Sequence, residues 1–551
     1  MSDTNDEEKK VPRLPADQDQ EDADAGQGEL INVSGHVQEL DRHFDFLSIA
    51  SLAICSDNAW GAGGASIVVS LYNGGGPGVL YGLLVSIFFY STIAASLAEL
   101  ASALPSSANV YHWSSVTAGK YGKLVSFYAG WWNCLAWVFG AAVCSLASAE
   151  ALIAMYSVYH PDYIPQRWQI FVAFVCVTWL DLSFILFGQR ILARIATGMG
   201  ATLLLLFLIV TLMCAIYPST TGAGYASNAA VWSDFQNLTG WSNNGFVFIM
   251  GILNGAYAIG TPDGVCHMCE EIPNPRKNIP KGILVQMTTG SATAFFFYVA
   301  LLYAVTDLEA VFNTSITALP LAAMFQQVTR SNAGTVGLLA LFLLDQIINI
   351  PAAQMTAGRM LWTLARDDAT PFSGWVRHVS PKWRNPFNAQ LVCGVGVTIL
   401  GAIYVANATA FAAFVGSFTI FTTWSYCAAI LPHILSGRRY LKPGPFWMPP
   451  AVAYTVSGIA CAYILVFNII FMFPYVYPVD KATMNYACVM TGGCTILLTL
   501  WYLWKRSHGY EGPRVALNGH DDILTGVVGL SAKDEARLRS RSGVVGSQGC
   551  H

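Results

Sequence analysis

Twelve apolar stretches, each about 20 residues or longer, run through this 551-residue chain. They lie near 46–71, 78–103, 124–149, 168–188, 191–217, 244–263, 283–305, 335–361, 388–407, 410–435, 450–473 and 484–504. A helix of about 20 apolar residues crosses roughly 30 Å of hydrocarbon. Lipid offers the backbone no water, so only structures that pair every amide internally can span it. Composition agrees, with 54% apolar and 11% charged residues, against about 25% charged in soluble domains. The expected fold class is therefore an all-α polytopic membrane protein with 12 transmembrane helices. The first apolar run starts near Phe44, behind a long charged segment, so no cleavable signal peptide is expected.

Charge divides the chain into three expected regions. Residues 1–43 form an acidic tail: 12 acidic and 4 basic residues lie before or at Arg42. Its composition predicts disorder. Residues 44–506 form the membrane domain, and 507–551 a second polar tail. With both tails in the cytoplasm, the inner loops hold 14 lysines and arginines and the outer loops 3. That asymmetry fits the positive-inside rule. The sequons at Asn237, Asn313 and Asn407 all fall outside in this topology, as candidate glycosylation sites.

Two of the twelve stretches carry glycine and polar residues at matching places. The first reads Asp57-Asn58-Ala59-Trp60-Gly61-Ala62-Gly63-Gly64; the sixth reads Tyr257-Ala258-Ile259-Gly260-Thr261-Pro262-Asp263-Gly264. Unwound backbone at membrane depth must be buried in protein or line a wet cavity. A matched pair of interrupted helices, five spans apart, points to the substrate site of a carrier built from inverted repeats. Helices 1–5 and 6–10 would be the two repeats, with two extra helices. Gly61, Gly63 and Gly64 would let a ligand approach the amides of a half-helix whose positive end attracts an anion. Pro262, with Gly260 and Gly264, loosens the second break. Close helix packing is the plainer use of the same glycines.

Acids at membrane depth are expensive and point to function. Asp263 is a counter-ion for a substrate ammonium, a carrier of a coupling proton, or a cap for the following half-helix. Asp57, one turn before Gly61, is a substrate counter-ion, a gate residue or a hydrated acid in an inner vestibule. Asp345, mid-span in the eighth stretch, and Thr356 below it are candidates for ion coupling. Glu99, Glu270 and Glu271 read as inner-gate residues with nearby arginines. Trp60 and Tyr257 flank the two breaks, and an ammonium over such rings gains about 0.5–2 kcal/mol. Thr261 lies between Gly260 and Asp263, in the second break. No metal is expected: Cys266-His267-Met268-Cys269 has no second half elsewhere, and the 13 cysteines give no disulfide framework.

Four motifs resemble the amino acid–polyamine–organocation superfamily, and within it the fungal amino acid/choline transporter family. They are Trp60-Gly61-Ala62-Gly63-Gly64 with Asn73-Gly74-Gly75-Gly76-Pro77; Ser96-Leu97-Ala98-Glu99-Leu100 with Pro105 and Tyr111-His112-Trp113; Glu270-Glu271-Ile272-Pro273-Asn274-Pro275-Arg276; and Arg359-Met360-Leu361-Trp362 with Ala365-Arg366-Asp367. The similarity covers roughly 44–506. It implies a leucine-transporter-like inverted repeat, alternating access, and movement of a small amine-bearing solute such as an amino acid, γ-aminobutyrate or choline, often with protons. It also suggests Arg194 as a fixed charge near the ion site; snorkelling to the interface is the plain alternative. The acids Asp57 and Asp263 depart from the usual pattern and favour a cationic solute.

The ten histidines are dispersed and no nucleophile cluster appears, so an enzyme is not expected. A non-transporting nutrient sensor of the same fold and an exporter of a small alkaloid are the alternatives. The expected partners are the solute, a coupling proton and the lipid bilayer, with no nucleic acid and no cofactor. The plasma membrane is the first expected location and the vacuolar membrane the second.

Overall fold

The computed structural model describes residues 46–312, 319–383, 385–406, 409–481 and 483–513. Among the described residues the regular elements are helical, and a single isolated bridge pairs Asn73 with Asn237. Most of both expected tails lies outside them.

The first apolar run is three short helices, α1 (Phe46–Asp57), α2 (Ala59–Ser66) and α3 (Val68–Tyr72). There follow α4 (Gly75–Ala103), α5 (Val110–Thr117), α6 (Gly122–Tyr159) and α7 (Arg167–Thr221). The sixth apolar run is α8 (Asn244–Gly251), α9 (Leu253–Ala258), five irregular residues and a 3₁₀ helix, Gly264–Glu271. Beyond it lie α10 (Pro275–Ala304), α11 (Pro320–Thr329), α12 (Asn332–Arg366), α13 (Phe387–Ala406), α14 (Ala410–Leu435), α15 (Pro450–Ile470) and α16 (Ala487–Ser507). Ten helical segments among the described residues are long and apolar enough to cross a membrane. Two of them, Arg167–Gly188 and Thr197–Thr221, share α7. The stretch between them holds Arg194, whose side chain lies outside the described residues.

The first break is narrower than its glycines suggest. Only Asn58 leaves the helix, at φ 35° and ψ 49°, while Gly61, Gly63 and Gly64 are helical in α2. Asparagine tolerates this left-handed conformation because its short amide bonds locally. A one-residue break also leaves few orphan backbone groups, which lipid penalises. The Asn58 N–H still reaches the Ile54 carbonyl at 2.9 Å, and the Ala62 N–H reaches the Asn58 carbonyl at 3.0 Å. The second break is longer. Pro262 has no amide hydrogen to continue a ladder, and the chain resumes as 3₁₀ rather than α. At its far end Asn274 is left-handed and Pro275 opens α10, where a missing N–H costs nothing.

Burial separates interior helices from the lipid-facing shell. The apolar windows of Gly119–Tyr159 and Ala410–Leu435 are 83% buried, against 22–56% for the other eight. Helices α6 and α14 thus form the centre, where α6 packs most extensively on α12 and α14. The outward faces of α7, α13, α15 and α16 expose leucine, isoleucine and valine, as lipid contact requires.

Candidate functional site

The site grows from Asn58. Its Nδ2 donates to Asp345 Oδ2 at 2.7 Å, and Gln346 Nε2 donates to the same oxygen at 3.1 Å. A side chain at Gly61 would put its Cβ 2.1 Å from that oxygen. Gly61 therefore makes room for a carboxylate beside the first turn of α2, where the helix dipole is positive. The anion placed there is the protein's own Asp345. Gly63 and Gly64 admit side chains of α10: their Cβ atoms would lie 1.9 Å from the Tyr298 hydroxyl and 3.1 Å from Phe297. In this conformation Tyr298 and Phe297 take the space beside these two glycines. Asn254 of α9 completes the joint, donating to the Gly63 carbonyl at 2.9 Å and to Ser66 Oγ at 2.8 Å.

The two breaks meet at Asp57 and Thr261. The Thr261 hydroxyl lies 3.0 Å from Asp57 Oδ1 and 3.1 Å from the Ser56 carbonyl. Gln286 of α10 donates to the Thr261 carbonyl and, at 3.2 Å, to its hydroxyl. Asp57 is buried, and its Oδ2 has no hydrogen-bond partner. That oxygen points past Gly290, where a Cβ would come within 1.9 Å. A narrow cleft opens here, lined by Asp57, Asn58, Trp60, Leu203, Gly290 and Thr293, among others. Trp60 and Tyr257 do not share one cage. The Trp60 ring packs edge-on to Phe297 at 5.3 Å and the Tyr257 ring on Phe418 at 5.3 Å. Gly260 faces that same Phe418, whose Cε1 lies 3.3 Å from where a Cβ would be.

Asp263 is fully buried and lies in a different cluster. Its Oδ2 accepts from Asn109 at 3.0 Å, Asn133 at 2.8 Å and His267 Nε2 at 3.0 Å, while its Oδ1 accepts from the Tyr426 hydroxyl. These four donors fill the roughly four acceptor sites of a carboxylate. The cap expected for the following helix is absent, since the side chain makes no bond to those amides. A substrate ammonium would have to displace a resident donor. Asp263→Asn is therefore expected to lower stability by about 1–3 kcal/mol, because it leaves one acceptor oxygen among four donors and adds an amide that itself donates. Thermal unfolding of the solubilised protein reads this. An unchanged midpoint would show that the cluster is not tightly satisfied.

Two of the acids expected at an inner gate, Glu270 and Glu99, are ion-paired. Glu270 Oε1 lies 3.4 Å from Arg366 Nη2 and accepts from Ser107 at 2.5 Å. Glu99 pairs with Arg438 at 2.7 Å and His433 at 3.2 Å, and accepts from the Met448 amide at 3.0 Å. The Thr356 hydroxyl donates to the Ala352 carbonyl of its own helix at 2.7 Å. The Asn237 amide nitrogen donates to Trp241 and Asn244 at 2.7 and 3.0 Å. The Glu271 side chain, Asn313 and Asn407 lie outside the described residues.

The sequence reading missed Asn58, Asn109, Asn133, His267 and Tyr426, and the buried acid Glu150, which bonds Tyr404 at 3.1 Å. Asn58 had a signal, as a turn-tolerant residue inside an apolar run. His267 had another, four residues after a buried acid. Asn109, Asn133 and Tyr426 come from distant segments and carried none.

Known proteins are similar to this chain in sequence. The family described as amino acid permease matches residues 44–494. The choline transporter of Saccharomyces cerevisiae is 29% identical over 492 residues, covering 89% of this chain and 84% of the relative. The GABA-specific permease of the same yeast is 26% identical, covering 92% and 88%. Its 7-keto 8-aminopelargonic acid transporter is 24% identical, covering 82% and 90%. With most of its length matched and its helical segments built to cross a membrane, this chain is a multi-pass membrane protein that belongs to the amino acid permease family.

Proposed function

We propose that this protein is a secondary active carrier of a small organic cation of the choline type. The observation that carries the reading is Asp57: a buried carboxylate oxygen without a hydrogen-bond partner, facing a cleft beside Trp60 at the meeting of both helix breaks. An unpaired buried carboxylate gains most from a cation. An ammonium near the indole face adds about 0.5–2 kcal/mol. Asp345 already occupies the positive end of α2, so the place a solute carboxylate would take holds a resident one. That favours a cation over an amino acid. The name of the yeast choline transporter points the same way.

In this reading the interrupted runs 46–72 and 244–271 are spans one and six, making twelve with the ten long segments. The first ten form a five-plus-five inverted repeat, and the carrier works by alternating access in the lipid bilayer. Both tails, 1–43 and 507–551, face the cytoplasm, and the membrane is the plasma membrane. Asp345 and the Asp263 cluster serve proton coupling, and the Glu99 and Glu270 ion pairs close the inner side. The test is uptake of radiolabelled choline and γ-aminobutyrate into proteoliposomes, with and without an inward proton gradient. Choline uptake enhanced by the gradient supports the reading. γ-Aminobutyrate uptake without choline uptake would overturn the cation preference, and no uptake of either would overturn the choline-type assignment itself.

A further inference from the structure

We propose that His267 is the proton-binding residue of this protein, with Nδ1 as the atom that takes the proton and Asp263 as its buried counter-ion. Its link to transport rests on the carrier reading above; the proton site itself does not. Asp263, as a carboxylate, only accepts, so the His267 Nε2 that lies 3.0 Å from it carries a hydrogen, and the Asn109 amide nitrogen, 3.3 Å from Nε2, donates to Asp263 instead. In a neutral ring Nδ1 is then a bare acceptor. It is buried and has no hydrogen-bond partner. The site can therefore gain one proton without breaking a bond.

The surrounding groups give that proton a conformational consequence. Asn109 from the segment before α5, Asn133 and Trp137 from α6, and Tyr426 from α14 enclose the pair. Asp57 of α1 is tied to the same break through Thr261. Cys266 lies beside Asp263, Tyr90 of α4 beyond Tyr426, and Glu270 with Arg366 of α12 one turn on. With His267 neutral, the cluster holds one buried negative charge, solvated by four donors. With Nδ1 protonated, it becomes a neutral ion pair, but the new N–H points at no acceptor. An unmet buried donor is unfavourable. Protonation therefore leaves an unmet donor in this conformation, and favours another in which Nδ1–H is met. That differential is what lets a ligand shift a population.

The element carrying the pair is suited to such a change. Gly264–Glu271 is an eight-residue 3₁₀ helix, where runs beyond about four residues are uncommon and often mark hinges. In a 3₁₀ helix residues three apart eclipse. His267 and Glu270 therefore share a face of this helix, and the Glu270 ion pair with Arg366 joins it to α12. A rearrangement at Nδ1 would move the same short helix that carries that pair.

Two measurements test this. In proteoliposomes, one coupled proton and one pH unit of inward gradient support about tenfold choline accumulation. His267→Gln keeps a donor to Asp263 but cannot take a proton. Gradient-driven accumulation should fall from about tenfold to none, while exchange of labelled for unlabelled choline persists. The second readout needs neither transport nor a variant that transports. In ¹⁵N-histidine spectra of the whole protein in nanodiscs, a buried imidazole should titrate reversibly at Nδ1 and be missing in His267→Gln. If the variant does not fold, His267→Asn supplies the assignment. Accumulation unchanged in His267→Gln would overturn the proposal, as would an imidazole that stays neutral from pH 5 to 9. If choline does not move in wild type, the carrier reading fails while the spectra still decide the proton site.

Discussion

Asp57→Asn should reduce choline uptake by about 10–100-fold while leaving the fold intact. The magnitude follows from losing one charge-assisted contact of about 1.5–3 kcal/mol, at 1.36 kcal/mol per decade. The fold should survive because asparagine is nearly isosteric and its Oδ1 still accepts the Thr261 hydroxyl, now 3.0 Å from Asp57. Its amide would occupy the position of Oδ2, which no protein group contacts by hydrogen bond. The measurement pairs initial uptake rates with a thermal midpoint on the same preparation. Loss of uptake with an unchanged midpoint assigns the charge to the solute. Uptake within about threefold of wild type would remove Asp57 as its partner, since so small a change is under 1 kcal/mol. The contrast with Asp263 is physical. The same substitution at Asp263 leaves one acceptor oxygen among four donors, whereas at Asp57 the retained oxygen still meets the Thr261 hydroxyl.

Gly63→Ala is expected to prevent folding or to leave an inactive protein. The added Cβ would lie 1.9 Å from the Tyr298 hydroxyl and 3.0 Å from Ala258. Neither α2 nor α10 can yield cheaply there. The hydroxyl donates to Asn254 Oδ1 at 2.9 Å, and Asn254 holds α2 through the Gly63 carbonyl and Ser66. Overpacking a filled interior costs about 1–3 kcal/mol before those bonds are lost. Tyr298→Phe removes the nearest atom, so the double variant should recover part of the folded yield. Monodisperse protein on size exclusion is the readout. Wild-type yield for Gly63→Ala alone would refute the close packing, and no recovery in the double variant would place the clash elsewhere.

The sequence by itself determined the class, which two runs are interrupted and the acids worth weighing. Apolar length needs only local arithmetic, because each span must satisfy its own backbone within a fixed thickness. The glycines of 61–64 and the Gly-Thr-Pro-Asp-Gly of 260–264 were legible for the same reason: flexibility and a missing amide are properties of single residues. Tertiary structure alone decided what each residue faces. Gly61 accommodates Asp345 from 284 positions away in the chain, and Gly63 accommodates Tyr298. Asp57 and Asp263 read alike in sequence, as acids in matched breaks. One faces a cleft, and the other is filled by donors from three separate segments. No local pattern encodes that difference, because a carboxylate's role depends on which donors the other helices bring within about 3 Å.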